Sequence, residues 1–166
     1  SDLHFGASEQ IDHTLNTIIK NIAEMETSLS RYAIVLTGDL VNNANKGKHE
    51  IVKSYLDNLK ALGATVLAVP GNHDYGNGIR SKRKFVKIFK SIFFGDEKLR
   101  YPKVDFVYDP EFPDDCSEAI AFIGMDSMAK ELGFLDRLFA EGELGNAQLN
   151  RLDEILSNPD VKNCVK

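Results

Sequence analysis

Between Ile11 and Val69 the chain alternates twice between a helix-length amphipathic stretch and a short apolar run. That alternation leaves few folds open. From Ile11 to Leu29, apolar residues fall at Ile11, Leu15, Ile18, Ile22, Met25 and Leu29, with Lys20, Asn21, Glu24 and Glu26 off the stripe. Spacing by three and four predicts an amphipathic helix. Ala33 to Thr37 reads as a buried strand ending at Gly38-Asp39. A second helix is expected over His49 to Leu62, through Ile51, Val52, Tyr55, Leu59 and Leu62, with Gly63 as its C-terminal stop. Ala64 to Val69 follows as a further strand, halted by Pro70 and Gly71. Crossovers of helix length argue for parallel strands. The expected order is a partial first strand followed by α-β-α-β, an α/β arrangement.

Open α/β sheets place ligands beyond the carboxyl ends of their strands. Three such ends carry polar, chemically capable groups: Asp2-Leu3-His4, Gly38-Asp39-Leu40-Val41-Asn42-Asn43 and Gly71-Asn72-His73-Asp74. Residues two apart at a strand end point to one side, so Asp2 and His4 can reach one ion. Gly38 lets the backbone turn tightly before Asp39, and Asn72 offers a neutral amide oxygen. Two carboxylates, an imidazole and an amide form a mixed oxygen and nitrogen donor set that suits Mn, Fe or Zn rather than Ca. A carboxylate shared between two ions would give a two-metal site with a separation of roughly 3.5–4 Å.

Asp-x-His, Gly-Asp-x-x-Asn and Gly-Asn-His-Asp, in that order and separated by helix-sized spacers, resemble the calcineurin-like metallophosphoesterases. The motifs run from Ser1 to about Asp74 and continue more weakly through Asp126-Ser127 and Leu144-Gly145-x-x-Gln148-Leu149. The resemblance implies two packed mixed β-sheets flanked by helices, with a dinuclear metal centre at the strand ends. By it Asp2 and His4 hold the first metal, Asp39 bridges and Asn72 holds the second. His73 would face the substrate, hydrogen-bonding a phosphate oxygen or protonating the leaving alkoxide, with Asp74 behind it orienting the ring. The implied reaction is hydrolysis of a phosphodiester or phosphomonoester by a metal-bound hydroxide attacking in line, with two Mn, Fe or Zn ions as cofactors.

The chain departs from the family where a later histidine and a Gly-His-x-His turn would add ligands. Its four histidines stand at 4, 13, 49 and 73. The sequence opens on candidate ligands without an initiator Met and stops at Val161 to Lys166, where a new strand is expected. Residues 1–166 are accordingly read as one metallophosphoesterase domain, incomplete at its C-terminus and missing the start of its first strand. Alone they are expected to bind metal weakly and to be inactive. Ser/Thr protein phosphatases are disfavoured because Asn42 and Asn43 replace an Asp and the phosphate-clamping Arg, and Asp74 replaces Glu. Purple acid phosphatases are disfavoured because Asn42 occupies the tyrosine ligand's place. The motif style is most similar to the branch containing class III cyclic-nucleotide phosphodiesterases, so a small phosphate ester, nucleotides included, is the expected substrate.

The remaining chain carries less chemistry. Arg80 to Phe94 is expected to form a helix with a basic face (Arg80, Lys82, Arg83, Lys84, Lys87, Lys90) and an aromatic one. The basic face reads as solvated, or as a cap attracting an anionic substrate. Val104 to Tyr108 and Ala119 to Met125 are expected strands joined by a turn at Pro110, Pro113, Asp114 and Asp115, and Asp126 is either a supporting group or the start of a turn. Leu132 to Gly142 is ambiguous, and Ala147 to Leu156 is a final amphipathic helix. His13 and His49 read as solvated.

A net charge of −5 gives no reason to expect nucleic acid. Cys116 and Cys164 form no CxxC pair and match no zinc spacing, which favours free thiols in a reducing, cytoplasmic setting over a bridge. No apolar run approaches the roughly 20 residues of a membrane span. A metal-free scaffold on the same fold is the alternative function. A flavodoxin-like binding domain would need a phosphate-cradling loop after the first strand, which Asp2-Leu3-His4-Phe5-Gly6 is not.

Overall fold

The computed structural model describes residues 2–25, 28–77, 82–108, 119–128 and 142–164. The first helix, α1, spans Glu9–Met25. Ser8 Oγ accepts from the Ile11 N–H at its start, and Glu9 and Asp12 suit the positive N-terminal end. The buried line runs through Leu15, Ile19 and Ile22, while Ile18 and Met25 face outward. Leu29 lies beyond the helix, fully buried, with its N–H on the Leu62 carbonyl. The observed stripe is thus rotated from the expected one. A spacing of three and four admits either line, and docking against the rest of the core selects one.

Strand β1 (Ala33–Leu36) pairs in parallel with β2 (Thr65–Ala68), Ala33 opposite Thr65 and Leu36 opposite Ala68. Between them runs α2 (Lys46–Ala61). It starts three residues before the expected position because the Asn45 side chain accepts from the Lys48 N–H and caps it. Gly63, at φ +100°, ends the turn that follows. The expected first strand contributes one parallel bridge, Phe5 to Val41, so residues 2–5 run beside the loop that leaves β1.

A one-turn helix, α3 (Asn72–Tyr75), follows β2, then α4 (Arg83–Phe94). Strands β3 (Lys103–Val107) and β4 (Ile120–Gly124) form an antiparallel pair, Lys103 opposite Gly124. Helix α5 (Gly145–Ser157) precedes a helical turn, α6 (Pro159–Lys162), where a new strand is expected from Val161. The Asn158 side chain caps that turn and Pro159 opens it, which favours helix there. The expected turn at 110–115, the ambiguous stretch through 141, Arg80 and Cys116 lie outside the described residues. Cys164 is buried, its Sγ donating to the Asp160 carbonyl.

The result is an α/β fold with two small sheets flanked by helices. Among the described residues each sheet has a single strand sense, one parallel and one antiparallel. A cleft lined by Val35, Leu67, Val69, Phe122 and Ile123 separates the two sheets. The main core joins Phe5, Leu15, Leu29, Leu36, Leu40, Val52, Leu56, Leu59, Tyr75 and Phe89, each large apolar side chain contributing about 1.5–3 kcal/mol. No described helix is long and apolar enough to cross a membrane.

Candidate metal centre

Three loops meet beyond β1 and β2. The Asp2 N–H donates to the Gly38 carbonyl and the His4 N–H to the Asp39 carbonyl, fixing the first loop against the second. The second and third abut through glycines. Gly38 has φ +108°, and a Cβ there would stand 2.8 Å from the Gly71 nitrogen. A Cβ on Gly71 would fall 2.2 Å from Asp39 Oδ1. Neither position accepts a side chain without displacing the neighbouring loop.

The positive-φ residues other than glycine among those described are Asp2 (54°), His4 (45°) and Asp39 (51°). Left-handed backbone costs such residues about 1–2 kcal/mol each and persists only where surroundings over-determine it. All three positions are candidate ligands.

Asp39 Oδ1 accepts the His73 N–H at 2.9 Å, and its Oδ2 lies 4.0 Å from His4 Nε2. The His4 and His73 rings meet edge to face, centroids 4.6 Å apart. Ligand-capable atoms of His4, Asp39 and His73 all lie within 4.8 Å of one another. Nδ1 of His4 is buried with no hydrogen-bond partner. Two imidazoles and a carboxylate, His4 and Asp39 on strained backbone and one His4 ring nitrogen unused, fit a transition-metal ion such as Zn, Mn or Fe. Asn72 opens α3 beside them, half-buried, whereas Asp2 is exposed and outside the trio.

His73 Nδ1 sits against the Asn42 carbonyl oxygen. A carbonyl only accepts, so Nδ1 carries a proton and the ring presents Nε2. The Asn42 carbonyl, not Asp74, therefore orients this ring. Asp74 is fully buried and works between loops: its Oδ1 accepts from the Leu40 and Val41 N–H groups at 3.0 and 3.2 Å, and its Oδ2 from the Gly71 N–H at 2.9 Å.

His49 overturns its expected solvated place. It is 0% exposed, with Nε2 3.5 Å from Asp74 Oδ1. The signal was in the spacing: 49, 52, 56 and 59 form the buried stripe of α2, and His49 is its first member. His13 is exposed on α1, as expected.

A second tier supports α3. The buried Asp126, just after β4, accepts from the Tyr75 hydroxyl at 3.0 Å and the Met128 N–H. Gln148 of α5 accepts the Asp126 N–H and donates to the Asp126 and Leu144 carbonyls. Burial pushes the Asp126 carboxyl above the usual range, while the bonds from Tyr75 and Met128 pull it down. Burial likewise raises the Tyr75 hydroxyl far above its ordinary value, so it stays a donor.

On α4, Phe89 is fully buried against His49 and Tyr75, and Lys90 Nζ donates to the Leu99 carbonyl. Arg83, Lys84 and Lys87 are exposed.

The family model for calcineurin-like phosphoesterases matches residues 1–161. The chain is also 31% identical over 114 residues to an uncharacterized metallophosphoesterase of Helicobacter pylori strain J99. That match covers 66% of this chain and 28% of the relative, so the chain spans well under half of that protein's length. The chain belongs to the calcineurin-like phosphoesterase family.

Proposed function

We propose that the full-length gene product hydrolyses a phosphodiester or phosphomonoester at a dinuclear metal centre, with hydroxide as the nucleophile. The observation that supports this most is the convergence of His4, Asp39 and His73 within 4.8 Å, with His4 and Asp39 on backbone held in left-handed conformations. In this reading Asp2 and His4 hold the first ion, Asp39 bridges and Asn72 holds the second, the ions being Mn, Fe or Zn. Bound ions of this kind supply Lewis-acid activation of the phosphoester and of the attacking water.

The chain's own residues do the rest. Asp39 receives the His73 N–H and so keeps its carboxylate turned toward the histidine pair. His73, its Nδ1–H fixed by the Asn42 carbonyl, aims Nε2 at a phosphate oxygen or the leaving oxygen. As the doubly protonated imidazolium it donates from Nε2 and gives that proton to the leaving oxygen, ending as the neutral Nδ1–H ring. Asp74 holds the Asp39 and Asn72–His73 loops at one spacing. The substrate is a small phosphate ester. The motif style favours a nucleotide of the kind taken by class III cyclic-nucleotide phosphodiesterases.

The test is metal content together with hydrolysis of bis(p-nitrophenyl) phosphate in Mn²⁺ by the full-length product, beside Asp39→Ala and His4→Ala. The expected result is bound metal and Mn²⁺-dependent turnover, reduced about 100-fold or more in both variants. No metal and no turnover in wild type would leave a metal-free scaffold as the function.

A further inference from the structure

His49 is a buried imidazole that the proposed reaction does not use. It is 0% exposed on α2, and neither ring nitrogen has a hydrogen-bond partner. Phe89 and Phe93 of α4 stand edge-on to the ring at 5.8 and 5.9 Å, walling it on the apolar side. The polar group brought to it is the Asp74 carboxylate, Oδ1 at 3.5 Å from Nε2. Asp74 is itself 0% exposed, and its remaining partners are the N–H groups of Leu40, Val41 and Gly71.

Those amides lie on different loops. Leu40 and Val41 follow Asp39, and Gly71 precedes Asn72 and His73. The carboxylate therefore staples two metal-binding loops, and the imidazole stands behind the staple. A leucine at position 49 would extend the Val52–Leu56–Leu59 stripe without burying a polar ring among aromatics, which is costly when unpaired. Packing alone thus gives no reason for a histidine there, and the carboxylate beside it does.

We propose that His49 is a positioning residue for the metal centre. With Nε2 3.5 Å from Asp74 Oδ1, the ring steadies the carboxylate by close electrostatic contact in the orientation that reaches all three amides, and so sets the spacing between the Asp39 and Asn72–His73 loops. This rests on the metal-centre reading above. It adds a residue with no contact to any candidate ligand, coupled to the site through one carboxylate. Supporting partners of this kind are worth about 10–100-fold in metal affinity.

The test uses the full-length product with His49→Leu and His49→Gln, the latter placing an amide nitrogen near the Nε2 position. Mn²⁺ affinity is read by calorimetry, and stability by melting of the metal-free protein. His49→Leu is expected to bind Mn²⁺ about 10-fold or more weakly. Its metal-free form should melt no lower than wild type, and His49→Gln should recover most of the affinity. Equal Mn²⁺ affinity in wild type and His49→Leu overturns the proposal while leaving the metal centre intact. Absence of Mn²⁺ binding in wild type overturns the metal centre itself and this inference with it. Should His49→Leu fail to fold, His49→Met takes its place in the same comparison. Failure of both apolar variants beside a folded glutamine variant would make His49 a folding determinant and also overturn the proposal.

Discussion

At the scale of the residue, the site is defined by where backbone strain and close approach are concentrated. Asp2, His4 and Asp39 adopt conformations that glycine takes freely, while the true glycines at 38 and 71 are spent on bringing two loops into contact. His73 is held on both sides, its N–H on Asp39 and its Nδ1 on the Asn42 carbonyl, so its Nε2 direction is set before any substrate arrives. Replacement by asparagine should therefore lower kcat about 100-fold or more for an alkyl leaving group and less for p-nitrophenolate, which needs no proton. Bound metal should be retained. Steady-state kinetics with the two leaving groups, beside metal analysis, check this. Metal lost along with activity would instead make His73 a ligand.

At the scale of the element, α3 is the joint through which the site leans on the second sheet. Tyr75 reaches Asp126 after β4, and Gln148 fastens Asp126 to α5. Because burial holds the Asp126 carboxyl above its ordinary value of 3.8, the folded chain keeps a proton that the unfolded chain has released. Its contribution is full below that value and lost as pH rises toward the folded-state value, at up to about 1.4 kcal/mol per unit of elevation. Asp126→Asn should thus gain stability relative to wild type as pH rises from about 4 towards neutrality, read from melting curves across that range. Parallel curves would contradict it.

Helix α4 packs Phe89 beside α3 and leaves Arg83 and Lys84 exposed just after the site loop. Reversing both charges should raise KM for an anionic ester and weaken its salt dependence with kcat little changed. Identical KM values across a salt series would assign these side chains to solvation alone.

The elements themselves were largely legible, because α1, α2 and α4 carry helical stripes between short apolar runs that punctuation residues end. Which of two stripes on α1 turns inward was not, since both fit a 3.6-residue period. Nor was the burial of His49, hidden behind its polarity although its spacing matched Val52, Leu56 and Leu59. The part played by Asp74 was unreadable for another reason: its partners at Leu40 and Val41 lie more than thirty positions away and are backbone groups with no sequence signature.

At the scale of the molecule, the donors available within residues 1–166 can be weighed against the reaction proposed. Of four histidines, His13 is exposed on α1 and His49 is sealed among Phe89, Phe93 and Asp74. Among the described residues that leaves His4 with Asp2, Asp39 and Asn72 as the proposed ligands, His73 facing the substrate. Zinc-type ions favour four or more donors each, so two ions sharing this set would be thinly coordinated and weakly held. The family resemblance implies further imidazoles from a later strand and turn, and the Helicobacter pylori relative is several times longer than the stretch it shares with this chain. A polypeptide of residues 1–166 should therefore bind Mn²⁺ at least about tenfold more weakly than the full-length product and hydrolyse bis(p-nitrophenyl) phosphate slowly or not at all. Calorimetry and a paired activity assay decide it, with circular dichroism showing that the shorter chain is folded. Equal turnover by a folded 1–166 polypeptide would mean that the convergence of three loops on Asp39 is sufficient by itself. The supporting shell built from Asp74, His49 and the Asn42 carbonyl would then carry the precision otherwise expected from additional ligands.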